Sequence, residues 1–173
     1  SSRNVNAPTG TAGTFTYGIT NVYYQVNPGC SNNPGGTAVI TVRPTPTATI
    51  SGTATVCRGA SSPNVTFTNP QAIPVTVTYN INGSSSQTIN IGANSSANVP
   101  APTGTAGTFT YNLVSIVYQD APGCSNSISG SATITVRPTP TATISGTTTV
   151  YQDAASPLIR FTNPQNLPVT VIY

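Results

Sequence analysis

The sequence predicts an all-β protein: tandem immunoglobulin-like Greek-key β-sandwiches, about seven strands to a 94-residue repeat, joined by short Pro-rich linkers. Three observations lead there. The first is a fixed period. Thr-Val-Arg-Pro-Thr-Pro-Thr-Ala-Thr-Ile-Ser-Gly-Thr stands at 41–53 and again, unchanged, at 135–147, an offset of 135 − 41 = 94 residues. On that offset residues 1–79 align with 95–173 without insertion or deletion, and about two-thirds of the 79 positions are identical. The second is alternation at period two: Val75, Val77, Tyr79 and Ile81 are interleaved with Thr76, Thr78 and Asn80, and no helical period competes. The third is punctuation, with Gly, Pro and Asn turn signals about every 8–12 residues, the spacing of short antiparallel strands.

Within one unit the elements follow in order. Ala48, Ile50, Gly52, Ala54 and Val56 share a parity, so 47–57 reads as a long or Gly-kinked first strand. Val65 and Phe67 mark a second over 64–69, stopped by Asn69-Pro70, and 75–81 is the third. Asn82-Gly83 directly after it is a hairpin signal. Ile89 and Ile91 mark a fourth strand, Ala97 and Val99 a weaker fifth. The sixth, 108–118, changes parity between Leu113 and Val114, which implies a bulge or a strand covered on both faces. Ala132, Ile134 and Val136 make the seventh. The expected core is Val65, Phe67, Val77, Tyr79, Phe109, Tyr111, Leu113, Ile134 and Val136, with Tyr111 a candidate tyrosine corner or simply a packed ring.

These elements divide the chain into the second half of one repeat (1–45), a complete repeat (46–139) and the first half of another (140–173), as expected of a window on a longer array. Between them lie Arg43-Pro44-Thr45-Pro46 and Arg137-Pro138-Thr139-Pro140. Two prolines at alternate positions fix φ near −65° and favour an extended path, so each joint reads as a stiff spacer between repeats rather than a tether. Pro merely ending a strand is the plainer alternative.

The charge inventory excludes several functions. With five Arg, two Asp and no Lys, Glu or His, the chain has no ordinary general base near neutral pH, and Asp120 and Asp153 fall in different repeats. An enzyme is not expected, nor a cofactor. Calcium joints need several acidic ligands, and zinc needs four ligands where three Cys and no His are present. A net charge of +3 with scattered Arg is no nucleic-acid footprint, and no segment is expected to insert into a membrane. Asn64, Asn82 and Asn94 open glycosylation-type triplets of the sort chance supplies in an Asn/Ser/Thr-rich chain. Cysteine is the exception. Cys57 after the first strand and Cys124 after the sixth are the natural disulfide pair, closing a loop of about 67 residues worth roughly 4 kcal/mol. Against this, the turns after strands one and six of a plain sandwich lie at opposite ends, and free thiols are the alternative. Cys30 is the repeat-mate of Cys124; position 151, the mate of Cys57, is Tyr.

Thr-Val-Cys-Arg-Gly-Ala-Ser-Ser-Pro-Asn-Val-Thr-Phe-Thr-Asn-Pro (55–70), Ala-Gly-Thr-Phe-Thr-Tyr-Asn-Leu-Val-Ser-Ile (106–116) and Ala-Pro-Gly-Cys-Ser-Asn (121–126) resemble the PKD-like, Ig-like tandem repeats of very large Bacteroidota surface proteins. The resemblance covers the whole chain. It implies type IX secretion, an extracellular, cell-surface location and a role in adhesion, with neighbouring repeats of the same chain as the first partners. The expected function is then a structural spacer in a surface adhesin or fibre. Two alternatives stand beside it. One is a polysaccharide- or surface-binding module using Tyr23, Tyr24 and Tyr118 as stacking platforms. The other is the subunit of a self-assembling extracellular filament, because the broken ends, 34 and 45 residues, supply 79 of the 94 in a unit.

Overall fold

Through the central segment the alternating Val, Ile, Phe, Tyr and Thr positions form strands, as β-branched and aromatic side chains do on a half-buried pleated surface. The computed structural model describes residues 2–173, and no helix occurs among them. The N-terminal segment carries β1 (Gly13–Gly18), β2 (Val22–Tyr23), β3 (Ser31–Asn32) and β4 (Thr37–Val42). The central segment carries β5 (Thr49–Ser51), β6 (Ala54–Cys57), β7 (Asn64–Asn69), β8 (Val75–Ile81), β9 (Gln87–Ile91), β10 (Ser95–Pro100), β11 (Gly107–Tyr118), β12 (Ser125–Ser127) and β13 (Ser131–Arg137). The C-terminal segment has β14 (Thr143–Ser145) and β15 (Arg160–Thr162).

The central strands form two sheets, one in the order β10-β7-β5 and one in the order β6-β13-β11-β8-β9. β12 pairs with the distal half of β11, beyond the stretch that pairs with β13. The first strand is broken at Gly52, as its kink predicts: β5 pairs with β7 in one sheet, and β6 runs parallel to β13 in the other. Gly52 has φ +108°, and a Cβ there would run into the carbonyl oxygen of Asn64, so only glycine lets the chain cross. Gly146 repeats the geometry at φ +117° against Leu158. The parity change in β11 is a bulge: the register with β8 shifts between Leu113 and Ser115, turning Val114 outward.

The inner faces of both sheets meet over one core. Val65 and Phe67 come from the first sheet; Val77, Tyr79, Tyr111, Leu113, Ile116, Ile134 and Val136 come from the second, all buried. Phe67 and Tyr79 pack at 4.8 Å between ring centroids, and Tyr79 lies 6.3 Å from Tyr111. Phe109, expected inside, is only partly buried against this cluster. Tyr111 packs instead of closing a tyrosine corner, since its hydroxyl makes no hydrogen bond among the described residues. Every residue of the core falls between Ala48 and Val136.

The expected Cys57–Cys124 disulfide is overturned: Cys30, Cys57 and Cys124 are all free thiols. Register explains why. Cys57 stands opposite Arg137 at the end of β13, beside the Gly107 end of β11. The Cys124 carbonyl accepts from the Tyr118 amide at 3.0 Å, at the other end of β11. A 12-residue strand separates the two by roughly 35 Å, against the ~7 Å that a disulfide permits between Cα atoms. The kink at Gly52 moves the chain to the other sheet but does not reverse it.

Candidate functional site

The joint at 43–48 is the part of the molecule where chemistry converges, through backbone carbonyls that proline residues leave without a strand partner. β4 ends at Val42, and the chain enters the central segment through Arg43-Pro44-Thr45-Pro46. Four hydrogen bonds fix this path. The Tyr118 hydroxyl donates to the Pro44 carbonyl at 3.1 Å. Gln71 clamps the chain from both sides: its Nε2 donates to the Thr45 carbonyl at 3.0 Å, and its Oε1 accepts the Thr47 amide at 3.0 Å. Asn126 Nδ2 donates to the Pro46 carbonyl at 3.1 Å. Pro46 is fully buried and Ala48 nearly so. The joint is a docked segment, not a bare spacer.

Each clamp is positioned by its own local structure. Asn69, ending β7, is fully buried, and its Nδ2 donates to the carbonyls of Ile73 at 2.9 Å and Gly92 at 2.8 Å. Its Oδ1 accepts the Gln71 amide at 3.0 Å, which sets the turn that presents the glutamine. Tyr118 ends β11 and is 2% exposed. Burial, and to a lesser degree Cys124, raises its pKa above the ordinary value, with the Arg43 guanidinium pulling the other way. The phenol is therefore held as a neutral donor. Arg43 Nη1 is buried without a hydrogen-bond partner among the described residues, a cost to the folded state.

The second joint, Arg137-Pro138-Thr139-Pro140, keeps part of this arrangement. Gln165 Nε2 donates to the Thr139 carbonyl at 2.8 Å and its Oε1 accepts the Thr141 amide at 2.9 Å. Asn163 Oδ1 again accepts the glutamine's amide, at 2.9 Å. Among the described residues no tyrosine or asparagine bonds to these prolines, and Pro138 and Pro140 are exposed.

The three tyrosines named as candidate stacking platforms lie in two segments, Tyr23 and Tyr24 in the N-terminal one and Tyr118, the repeat-mate of Tyr24, at the end of β11. Tyr118 is buried, its hydroxyl donating to the Pro44 carbonyl. Tyr23 and Tyr24 stand at 65% and 70% exposure beside a cavity of about 330 Å³, shared with Val22, Cys30, Asn32 and Pro34. Sequence reasoning missed Gln71, Asn126 and Asn69. The signal was present, since Phe-Thr-Asn-Pro-Gln recurs at 67–71 and 161–165 while the less constrained Gln-Ala-Ile becomes Gln-Asn-Leu after it.

No family model matches the chain, and no curated protein does. Among solved structures it is similar to a Ca2+-stabilized adhesin that helps an Antarctic bacterium reach out and bind ice, at 22% identity and a TM-score of 0.39. The match covers 77% of this chain and 34% of the other, so the chain spans about a third of that structure's length.

Proposed function

We propose that the chain is a run of immunoglobulin-like, PKD-like repeats serving as a stiff structural spacer in a long extracellular bacterial adhesin or fibre. On this reading the repeats are 1–45 in part, 46–139 whole and 140–173 in part. Specificity resides elsewhere in the protein, and the repeats supply reach and mechanical continuity. The strand orders β10-β7-β5 and β6-β13-β11-β8-β9, with a first strand shared between sheets, support an immunoglobulin-type arrangement. The observation that carries the spacer role is the clamped joint. Four hydrogen bonds from Tyr118, Gln71 and Asn126 hold residues 44–47 onto the repeat that follows, and the preceding strand ends only two residues before Pro44. A joint so short and so held leaves little freedom between neighbours.

With a strand near twelve residues long and a short joint, the axial rise is on the order of 40 Å per repeat. A rod of such units lengthens in proportion to repeat number, whereas freely jointed beads lengthen as about its square root. Small-angle scattering on chains of two, four and six repeats distinguishes these. The expected result is linear growth of the maximum dimension. Replacing Gln71 by Ala and both prolines of each joint by Gly should bend the growth towards the square-root law. Sub-linear growth in the parent chain would remove the physical basis of the reading.

A further inference from the structure

The sides of the central segment carry no charge. Between Arg58 and Asp120 the sequence has no charged residue, and these two lie with Arg137 at or just beyond strand ends. Strand edges are where this matters, because an edge offers unpaired backbone groups to another chain. Natural edges are normally blunted by charge, proline, a bulge or brevity. β5 and β6 are three and four residues long. In β10 the Ala101 amide, which donates to the Pro63 carbonyl, sets the parity: Pro100 faces away from β7 and removes an outward donor. β9, the last strand of its sheet, has none of these devices over Gln87–Ile91. The Asn82 amide donates to Thr110 of β11 at 2.8 Å, so by alternation the even-numbered residues of β8 face β11, and Val75, Val77 and Tyr79 face β9. The amides and carbonyls of Thr88 and Asn90 therefore point out of the sheet, and none has a partner among the described residues. Both residues are exposed. Asn90 Oδ1 accepts the Thr76 hydroxyl at 2.7 Å, which leaves its Nδ2 free to donate outward.

We propose that β9 is a lateral self-association edge, pairing antiparallel with β9 of a second copy of this chain about a twofold axis at Ile89. Complementarity identifies the occupant. In this register Thr88 of each copy stands opposite Asn90 of the other, both pairs exchange their two bonds, and every outward backbone group is satisfied. Asn90 Nδ2 comes beside the Thr88 hydroxyl of the second copy. Thr and Asn are already paired across strands within the molecule, at Thr66–Asn98 and Thr76–Asn90, 2.8 and 2.7 Å. A charged peptide finds no counter-charge along this side, whereas a second uncharged edge meets no repulsion. One surface serves both copies, so the contact is isologous and closes on itself for each central segment. It joins two sheets into one and lays the chains side by side in opposite directions. Two five-residue strands bury less than the roughly 1,200 Å² of a standard interface, so a single contact is weak.

This inference goes beyond the spacer reading and fails separately, because scattering on multi-repeat chains probes stiffness within a chain while association at β9 probes contact between chains. The test is sedimentation equilibrium of the 173-residue protein up to millimolar concentration, under reducing conditions that remove any cysteine cross-link. The mass should rise from monomer towards dimer. Replacing Thr88 and Asn90 together by Lys, or together by Glu, sets like charges along both edges of the pair. Each double variant alone should associate at least about tenfold more weakly. Mixed in equal amounts, the Lys and Glu variants should associate again, because opposite charges then face each other across the strands. Thr88→Pro removes an outward amide that makes no bond within its own copy, so it tests the edge even where a double variant fails to fold, and it should weaken association as well. A parent protein monomeric at every concentration, association indifferent to folded edge variants, or a Lys and Glu mixture no more associated than either alone would each overturn the proposal.

Discussion

The same thirteen residues appear at 41–53 and 135–147, and they live in different surroundings. In the first stretch Pro46 is fully buried and Ile50 partly buried against the core; in the second Pro140 is exposed and Ile144 stands 66% exposed. What survives the change is local. The glutamine clamp, the positive-φ glycine and the pairing of a short strand with the Phe-bearing one all recur, with Ile50 opposite Phe67 and Ile144 opposite Phe161. What does not survive is everything supplied from across the sandwich by β11 and β12. Local sequence sets the path of the joint, and a second layer of structure sets its burial.

Replacing the repeated phenylalanines offers the strongest test of that division. Phe67→Ala empties a fully buried site in the central core and should cost about 3–5 kcal/mol. Phe161→Ala alters a ring that is only half buried, against Tyr173 at 5.0 Å, and should cost under about 1 kcal/mol. Urea titration of both variants measures the pair, and equal losses would mean the C-terminal segment has a core of its own.

A smaller effect isolates the joint. Tyr118→Phe removes only the hydroxyl that donates to Pro44 and should destabilise by about 1 kcal/mol, while Tyr24→Phe at an exposed ring should leave monomer stability unchanged. Thermal melts of dilute protein report both; a neutral Tyr118→Phe would show that Gln71 and Asn126 hold the joint without the phenol.

The weakest contrast shows only in alkali. Burial raises Tyr79, Tyr111 and Tyr118 above the ordinary tyrosine value of 10.0, so the unfolded chain loses these protons first. Their contribution is complete below pH 10.0 and is lost as pH rises from there through the raised folded values. Denaturant midpoints measured on either side of that value should be level below it and fall above it, and Tyr118→Phe should lessen the fall.

Strands were legible in the sequence wherever one face was apolar: 64–69 and 75–81 were expected and appear with the same limits. β12 was not, because Ser125-Asn126-Ser127 has no alternation and is held by backbone pairing to β11. The parallel pairing of β6 with β13 was equally silent, since periodicity says that a strand exists and nothing about its neighbour. The disulfide failed on the objection already raised against it: the turns after strands one and six lie at opposite ends, and the kink at Gly52 does not bring them together. At the joint, proline spacing marked a segment between strands, while the alternative that offered Tyr118 as a stacking platform rested on a sequence that does not say which aromatic ring lies under the chain. The clamp was visible only as an unexplained repeated Asn-Pro-Gln.

The crossing at Gly52 determines how the molecule bears a load. Because β6 enters at Ala54 beside Ile134 and leaves at Cys57 beside Arg137, tension from the two joints, once past the clamp and β5, pulls β6 backward and β13 forward along the same axis. The bonds of that parallel ladder are strained together, in shear, instead of opening one at a time like a zip. Rupture then requires several bonds to fail at once, so resistance to extension exceeds what equilibrium stability alone suggests. Val56→Pro, which removes an amide from this ladder, should lower the force needed to pull a repeat apart by a larger fraction than it lowers the denaturation midpoint, as single-molecule stretching can measure.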